Sequence, residues 1–321
     1  MLCMAMVSTR AVLVALVVLA SPAALYLTSR EQPMLLRFTT LHWNPHFECF
    51  HDMTACGDHA IAFVDALLTS MHNSIDFASL IELNTPYIPP SSYSARGGQV
   101  CREGWTDDLL LIFNSRRWLA EGSAVMGCLT PGRKDARGYI VQPFRHKQTQ
   151  IVLTVVAVHY PHPGSEAWPM AIRQLRSAIG RTNHLLLLAD ANVDFDMPTA
   201  SLMRELGYKT SSTQTASLWR TCCFSDGFKY ASDRIATNFG TLISEARPMP
   251  APFPAWVSHK AGRHHNMTGS LTGGNEMHLP MLATFNYLVP QRDVAADSSA
   301  RSRGRRMRHV RDGRNDVIPK R

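Results

Sequence analysis

Short apolar runs, rich in β-branched residues and each bounded by polar or turn residues, recur along most of this 321-residue chain. Runs of this kind favour buried strands over helices. Three longer segments between them place apolar residues at helical spacing instead. The alternation predicts a single α/β domain with layered sheets. The predicted strands are 35–42, 77–83, 109–113, 139–144, 151–159, 185–189 and 282–288, and the predicted helices are 58–70, 168–179 and 197–206.

The positive charge of the chain is concentrated at its C-terminus. Residues 291–321 carry ten Arg or Lys and four Asp, a net +6 out of a total of +8, so the rest of the chain is near neutral. The 45% hydrophobic content excludes a wholly disordered chain, whereas this Ser/Gly/Arg-rich tail is predicted to be disordered. The tail has three interpretations: nonspecific contact with nucleic-acid phosphates, contact with an anionic membrane, or a solvated end without a partner.

The first thirty residues have the pattern of a targeting segment. Arg10 precedes an apolar stretch at 11–27, which is short for a membrane span and slightly long for the core of a signal peptide. Residues 1–30 are therefore interpreted as a signal peptide or an N-terminal signal anchor, with membrane association through 11–27 in the second case. Either interpretation predicts entry into the secretory pathway and a secreted or membrane-anchored protein.

Cysteine usage agrees with that compartment. Six cysteines lie outside the leader, and an even number in a secreted chain indicates disulfides. Cys49 with Cys56 closes a short loop, and Cys101 with Cys128 joins a predicted pair of strands. Six cysteines allow fifteen pairings, so these two pairs are hypotheses.

Polar residues stand at the ends of the predicted strands, where rigid scaffolds commonly place catalytic groups. If these ends converge, they assemble carboxylates, amides and imidazoles. That set suits a hard cation such as Mg²⁺ together with a general base and a stabiliser of phosphoryl charge. In extended structure, Asp190 and Asn192 point to the same face because they lie two residues apart. The candidate residues are Asn44, Glu82, His159, Asp190, Asn192, Asp233 and His278.

The order of these residues resembles the endonuclease/exonuclease/phosphatase superfamily, the DNase-I-like group of Mg²⁺-dependent phosphoesterases. That superfamily shows, in order, strands ending in W-N, in Q-E and in H, and then G-D-x-N, D-x-I and S-D-H-x-P. The matching residues are Trp43-Asn44, Ile81-Glu82, His159, Ala189-Asp190-Ala191-Asn192, Asp233-Arg234-Ile235 and Met277-His278-Leu279-Pro280. The resemblance covers 34–288. It implies a domain at 31–290 with a four-layered α/β sandwich, in which two packed mixed β-sheets are flanked by helices.

The resemblance also implies the reaction and the residues at its centre. The reaction is metal-dependent hydrolysis of a phosphoric ester, as in a phosphodiesterase or an endonuclease. Glu82 binds Mg²⁺, with Mn²⁺ or Ca²⁺ as alternatives, and Asn44 lies close to the ion. His278 activates a water for in-line attack on phosphorus and is held by Asp233.

The remaining candidates have supporting roles in the same resemblance. Asp190 and Asn192 position the water, the phosphate or a second metal contact. His159 hydrogen-bonds the phosphate and is a candidate to protonate the leaving oxygen. The substrate is expected to be nucleic acid or phospholipid, with inositol phosphates as another alternative.

The main departure from the superfamily pattern is Met277, which stands where the superfamily has Asp immediately before the catalytic His. Loss of that carboxylate removes a contact near the expected metal and water, so weaker or altered metal use is expected. Two alternatives to a hydrolase remain open. The first is a non-catalytic binding module that keeps the scaffold and has lost activity through Met277. The second is an unrelated α/β protein in which the order of residues is coincidental.

Overall fold

The computed structural model describes residues 33–45, 54–70, 75–83, 86–101, 107–133, 136–162, 167–193, 197–209, 213–216, 220–222, 230–246 and 278–290. Residues 1–30 and 291–321, Met277 and Cys49 lie outside these ranges. Within them, no helix has both the length and the apolar content that a membrane span requires.

The described chain contains thirteen strands and three helices in a mixed order. The strands are β1 (Met34–Trp43), β2 (Ile75–Ile81), β3 (Tyr93–Cys101), β4 (Asp107–Asn114), β5 (Trp118–Ala120), β6 (Val125–Leu129), β7 (Arg137–His146), β8 (Val152–His159), β9 (Leu185–Asp190), β10 (Gln214–Ala216), β11 (Asp233–Thr237), β12 (Thr241–Ala246) and β13 (Met281–Val289). The helices are α1 (Thr54–Ser70), α2 (Ala167–Ile179) and α3 (Met197–Glu205).

The strands form two mixed sheets. The first has the order β12-β13-β1-β2-β4-β3, in which β1 and β2 are parallel and the other neighbours are antiparallel. The second has the order β10-β11-β9-β8-β7-β5, with β6 also paired to β7, and here β8 and β9 are the parallel neighbours. Each sheet therefore has two adjacent strands whose carboxyl ends lie at the same edge.

Aromatic side chains from both sheets meet in the core between them. Phe77 of the first sheet lies 4.8 Å from Trp118 and 5.1 Å from Phe144 of the second sheet, measured between ring centroids. Phe113 lies 4.7 Å from Phe144. All four side chains are buried, and each contributes about 1.5–3 kcal/mol to folding. This core fixes how the two sheets sit against each other.

Helices cover the outer faces of the two sheets. On α1, Ala60, Val64 and Leu68 recur every four residues and pack against the first sheet. On α2 and α3, Leu175 and Leu202 pack against the second sheet. The layers run helix, sheet, sheet, helices, so the predicted four-layered sandwich is confirmed.

The seven predicted strands and three predicted helices are all present, with bounds shifted by up to four residues. The apolar runs did not indicate β3, β5, β6, β10, β11 or β12. In β3 the middle residues, Arg96 to Gln99, are exposed, so this strand has no apolar pattern. Gly97 has a φ of 136°, and a Cβ there would lie 2.0 Å from the carbonyl oxygen of Leu109, so the close pairing of β3 with β4 requires glycine.

A disulfide joins Cys101 to Cys128, as predicted. Cys101 ends β3 in the first sheet and Cys128 lies in β6 of the second, so the bond links the two sheets. Cys222 is also disulfide-bonded. The predicted pairing of Cys56 with Cys49 falls outside the described residues.

Candidate active site

The predicted site residues collect at one edge of the sandwich. The carboxyl ends of β1, β2, β8 and β9 lie there, and the antiparallel strands β11 and β13 begin there. Register brings residues of neighbouring strands side by side, since Asp190 pairs with His159 on one side and with Asp233 on the other. The side chains that form one connected cluster at this edge are those of Asn44, Glu82, His159, Asp190, Asp233 and His278.

His278 and Asp233 form a buried pair at the centre of the cluster. The Nδ1 atom of His278 lies 2.8 Å from Oδ2 of Asp233, and both side chains are almost completely buried. Backbone contacts hold His278 against the end of β1. Its N–H donates to the Asn44 carbonyl at 3.2 Å, and the Trp43 indole N–H donates to the His278 carbonyl at 2.9 Å. The imidazole is therefore fixed by its own backbone as well as by Asp233.

The charges of this pair stabilise each other. Burial opposes the charged form of His278, but Coulombic attraction to Asp233 and Asp190, a hydrogen bond to Asp233 and attraction to Glu82 together raise its pKa to about 9. Burial likewise opposes ionisation of Asp233. The charge and hydrogen bond of His278, with those of His42, nevertheless hold the pKa of Asp233 far below its ordinary value. The described structure thus favours an imidazolium–carboxylate pair.

Asp190 connects the pair to the rest of the cluster. Its Oδ2 accepts a hydrogen bond from Nδ2 of Asn44 at 2.8 Å and lies 3.8 Å from Nδ1 of His278 and 3.7 Å from Nε2 of His159. Its Oδ1 accepts the backbone N–H of Asn192 at 2.9 Å. Asp190 is fully buried, and the N–H donors of Asn44 and Asn192 compensate for the loss of water around its carboxylate.

The position of Asn192 corrects one expectation. β9 ends at Asp190, and Asn192 adopts a left-handed φ of 54° rather than an extended conformation. The backbone turns because the Asp190 carboxylate accepts the Asn192 N–H, a common arrangement for Asp in turns. The Asn192 side chain donates to the Tyr160 carbonyl at 2.6 Å, so the expectation that it shares a face with Asp190 by strand alternation was wrong.

Glu82 lies at the rim of the cluster, directly after β2. Its φ of 58° is unusual for a residue other than glycine, and such conformations often occur at functional sites. The next residue, Leu83, donates its N–H to the Asp108 carbonyl at 3.2 Å, which fixes the turn. Oε1 of Glu82 lies 3.9 Å from Nδ1 of His159, and the residue is 8% exposed.

Arg137 is a member of the site that the sequence analysis missed. Its Nε lies 3.2 Å from Nε2 of His159, and both residues are buried. Since a guanidinium only donates, Nε2 of His159 is the acceptor and its ring proton lies on Nδ1, towards Glu82. Arg137 begins β7, two residues before the apolar run at 139–144 that predicted this strand. An arginine directly ahead of a buried strand was the signal available.

Two sets of donor atoms could hold a metal ion. Asp190, Asp233 and His278 each offer a donor atom, and these atoms lie within 4.8 Å of one another. Both oxygens of Asp233, however, already accept hydrogen bonds from imidazoles. Glu82 and Asn44 offer a carboxylate and an amide oxygen, the ligand types that Mg²⁺ prefers. The residues present therefore fit a hard divalent cation on the Glu82 side of the cluster.

Comparisons with known proteins identify the fold. No protein-family model matches the chain, and no curated protein matches its sequence. Among solved structures, an endonuclease/exonuclease/phosphatase family protein from Bacteroides thetaiotaomicron is 12% identical, over 80% of this chain and 97% of that chain, with a TM-score of 0.54. The mannosyl-6-phosphatase Bt3783 of the same species is 13% identical, over 77% and 98% of the two chains, with a TM-score of 0.52.

A third similar structure is ANGEL2, described as a 2',3'-cyclic phosphatase. It is 12% identical over 80% of this chain and 99% of that chain, with a TM-score of 0.51. At these identities the likeness shows the fold, and it confirms the architecture that the ordered strand-end residues predicted.

Proposed function

We propose that this chain, which has the fold of the endonuclease/exonuclease/phosphatase proteins, is a metal-dependent phosphoric-ester hydrolase. The observation that carries the proposal is the buried His278–Asp233 pair, with Asp190 and Glu82 on one side and the guanidinium of Arg137 nearby. Packing of the fold alone does not require an imidazole base, carboxylates and an arginine guanidinium to lie together at one sheet edge. The named activities of the similar structures, a mannosyl-6-phosphatase and a cyclic phosphatase, support the same class of reaction.

In the proposed reaction, His278 takes the proton of the attacking water. Its Nδ1 is bonded to Asp233, so Nε2 is the ring atom that receives this proton. The water oxygen forms a bond to phosphorus, and the bond from phosphorus to the leaving oxygen breaks on the opposite side. The leaving oxygen then takes up a proton. Asp233 holds the ring in the tautomer that the reaction needs and stabilises the imidazolium that forms.

Arg137 and His159 are proposed to bind the phosphoryl group. The guanidinium has further N–H donors besides the Nε that contacts His159, and these suit phosphoryl oxygens. With Nε2 of His159 accepting from Arg137, the imidazole presents an N–H at Nδ1 rather than a bare nitrogen. His159 would accordingly donate to phosphate, or to the leaving oxygen, through Nδ1.

The proposed cation is Mg²⁺, with Mn²⁺ or Ca²⁺ as alternatives, held by Glu82 and Asn44. When bound, it supplies positive charge to the phosphoryl oxygens. The same charge would lower the pKa of His278 from about 9 towards neutrality, so that this residue can act as a base. Met277 supplies no carboxylate at the position before His278, so we expect weaker metal affinity than a site with Asp there.

The proposed substrate is a phosphodiester, nucleic acid or phospholipid, and inositol phosphates are the next class to test. We also propose that the chain enters the secretory pathway, as a secreted or membrane-anchored protein. The disulfide between Cys101 and Cys128 supports an oxidising compartment, where such bonds persist.

A second candidate function is a non-catalytic module that binds phosphorylated ligands. The observation in its favour is Met277, which replaces a carboxylate next to the proposed base. Such a module would keep the phosphate contacts of Arg137 and His159 without turnover.

A substrate panel tests these alternatives. The oxidised full-length protein is assayed with bis(p-nitrophenyl) phosphate, p-nitrophenyl phosphate, sphingomyelin vesicles and inositol phosphates, each with Mg²⁺ and with EDTA. Turnover that needs the cation and is lost in His278→Ala supports the hydrolase. If the wild type is inactive on every substrate and Met277→Asp gains activity, the binding module is the better description. If neither protein turns over any substrate, the hydrolase proposal is wrong.

A further inference from the structure

We propose that His42 is a positioning residue for the reaction, because it holds the Asp233 carboxylate in the orientation that presents its other oxygen to His278. This inference rests on the proposed function, since it assigns a further residue to the same site. It concerns a histidine that no strand-end motif includes, one residue before the end of β1.

The contact that carries the inference crosses from one sheet to the other. Nε2 of His42, in the first sheet, lies 3.0 Å from Oδ1 of Asp233, in the second sheet. Both side chains have no exposed surface. A carboxylate accepts only, so Nε2 of His42 is the donor atom. Asp233 therefore lies between two imidazoles, with His42 on Oδ1 and His278 on Oδ2.

Burial of His42 lowers the stability of the fold unless its ring nitrogens find partners, so packing alone does not explain a histidine here. Its Nδ1 is buried and makes no hydrogen bond to any described residue. A buried polar atom left without a hydrogen bond lowers stability relative to a satisfied one. Leucine or valine would fill a strand position of this kind without such a cost. The compensating contact in the described structure is the hydrogen bond to Asp233, which ties the role of His42 to that carboxylate.

The two bonds together fix the Asp233 carboxylate in one rotation. With a donor on each oxygen, turning the group would break both bonds at once. Without His42, Oδ1 loses its donor in a fully buried place, and the carboxylate gains by turning towards whichever group can satisfy it. His278 would then lose the aligned partner that keeps its ring in the reactive orientation. Replacing a residue that orients a catalytic group through a hydrogen bond commonly lowers activity by roughly 10- to 100-fold.

A second contact between the sheets lies directly after β1. Asn44 lies two residues after His42 and donates to Asp190 at 2.8 Å. Asp190 and Asp233 are cross-strand partners in the second sheet. His42 in β1 and Asn44 directly after it thus donate to two carboxylates that are paired in the second sheet. These two hydrogen bonds, like the one between His278 and Asp233, join the two sheets at the site.

A double-mutant cycle tests the inference with bis(p-nitrophenyl) phosphate as substrate. The variants are His42→Leu, His42→Gln, Asp233→Asn and the double variant His42→Leu/Asp233→Asn. His42→Gln retains an N–H donor at nearly the same reach. The matched control is His146→Leu, which removes another buried histidine of the sandwich, away from the site edge. Thermal unfolding of each variant by circular dichroism gives the fraction folded at the assay temperature.

We expect His42→Leu to lower kcat by roughly 10- to 100-fold with little change in KM, and His42→Gln to recover most of that loss. In the Asp233→Asn background, His42→Leu should have little further effect, because the partner through which it acts has been changed. The inference is wrong if His42→Leu lowers kcat no more than His146→Leu at equal folded fraction, or if its effect is fully additive with that of Asp233→Asn.

A readout independent of turnover separates this inference from the proposed function. NMR of protein labelled at the histidine ring nitrogens detects the His278 Nδ1 proton in its bond to Asp233, assigned by its absence in His278→Gln. We expect this resonance to persist in His42→Gln and to broaden or vanish in folded His42→Leu. An unchanged resonance in His42→Leu overturns the inference, even when the wild type hydrolyses no substrate. Absence of turnover with the expected NMR change instead counts against the proposed function alone.

Discussion

Asp190 and Asp233 face each other directly on the neighbouring antiparallel strands β9 and β11, and both are completely buried. Two like charges in this arrangement repel, and burial increases the cost. The site offsets that cost with three donor residues: His42 near the end of β1, Asn44 directly after β1, and His278 in the segment before β13. At this edge, the repulsion between the two buried carboxylates is therefore offset by the hydrogen bonds from their donors.

Replacement of Asn44 tests this balance. In Asn44→Asp, two carboxylates meet where the amide donated at 2.8 Å, so stability and activity should fall steeply at about pH 8. At acidic pH the new side chain can take a proton and donate through its O–H, so part of the lost stability should return. Melting temperature against pH measures the effect. Asn44→Leu is the control, since its destabilisation of about 1–3 kcal/mol should change little with pH. A parallel pH response of the two variants would contradict the electrostatic explanation.

Removal of the Arg137 guanidinium should weaken substrate binding more than it weakens folding. We expect Arg137→Met to raise KM or lower kcat/KM by about 10- to 100-fold, the value of a lost charged hydrogen bond. Arg137→Lys keeps the charge without the planar fork and should be intermediate. Steady-state kinetics on the best substrate of the panel measures this. Arg176→Met, at an exposed ion pair with Glu205 on α3, is the control for loss of one positive charge. Equal effects of the two methionine variants would argue against a phosphate contact.

The disulfide between Cys101 and Cys128 should stabilise the sandwich by joining its two sheets. The bond closes a loop with a sequence separation of 27, for which chain entropy alone gives about 3–4 kcal/mol. We expect the free energy of unfolding of Cys101→Ala/Cys128→Ala to be lower than that of the wild type by that amount, so the variant unfolds at a lower denaturant concentration. Chemical denaturation of the wild type and the variant measures it under oxidising conditions, where the bond through Cys222 stays intact. A variant as stable as the wild type would show that the loop is ordered without the bond.

His146 should make the fold sensitive to mild acid. Burial, and then the charge of Arg117, lower its pKa to about 4 from 6.5. Its Nδ1 accepts the Thr149 N–H at 3.2 Å, and a proton on that nitrogen would abolish the bond. Because the folded-state pKa is depressed, the contribution of neutral His146 is complete above about pH 6.5 and is lost as the pH falls through about 4.

His146→Asn isolates this effect, because its side-chain oxygen can accept the same N–H and does not titrate. We expect the stability of the wild type to fall relative to the variant as the pH is lowered from 6.5 towards 4, measured by denaturant unfolding at each pH. A constant difference between the two proteins over this range would mean that His146 does not titrate there. The comparison with a variant is needed because Asp76, whose pKa burial raises to about 6, changes wild-type stability in the opposite direction over the same range.

The parts of the fold that follow from sequence are those that bury a regular pattern. Buried strands such as β8 and β9 are near-continuous apolar runs, and their ends are marked by His159 and Asp190. β3 and β12 gave no such signal, since most of their residues are exposed or half-exposed and β3 contains Gly97 and Gly98. Pairing with a neighbouring strand, rather than burial, defines these two strands.

The same distinction explains the site. Residues at strand ends could be inferred, because polar side chains after apolar runs are conspicuous. His42 was not inferred, although it ends the predicted strand at 35–42, because its partner Asp233 is 191 residues away in the sequence. Arg137 was not identified as a site residue because the apolar run predicted a strand beginning at residue 139, whereas β7 begins at Arg137 itself. Asn192 was placed wrongly because the alternation of side chains along β9 stops at Asp190. The carboxylate of Asp190 accepts the N–H of Asn192, and the backbone turns there.

Nicking of supercoiled plasmid by the oxidised full-length protein tests most directly whether this sheet edge is a phosphoesterase site. The assay compares wild type with His278→Gln, each with Mg²⁺ and with EDTA, and circular dichroism confirms that both are folded. We predict Mg²⁺-dependent nicking that falls by roughly 100- to 10,000-fold in His278→Gln, the range for loss of a general base. Nicking that is equal in the two proteins, or unaffected by EDTA, would contradict the assignment of His278 and of the cation.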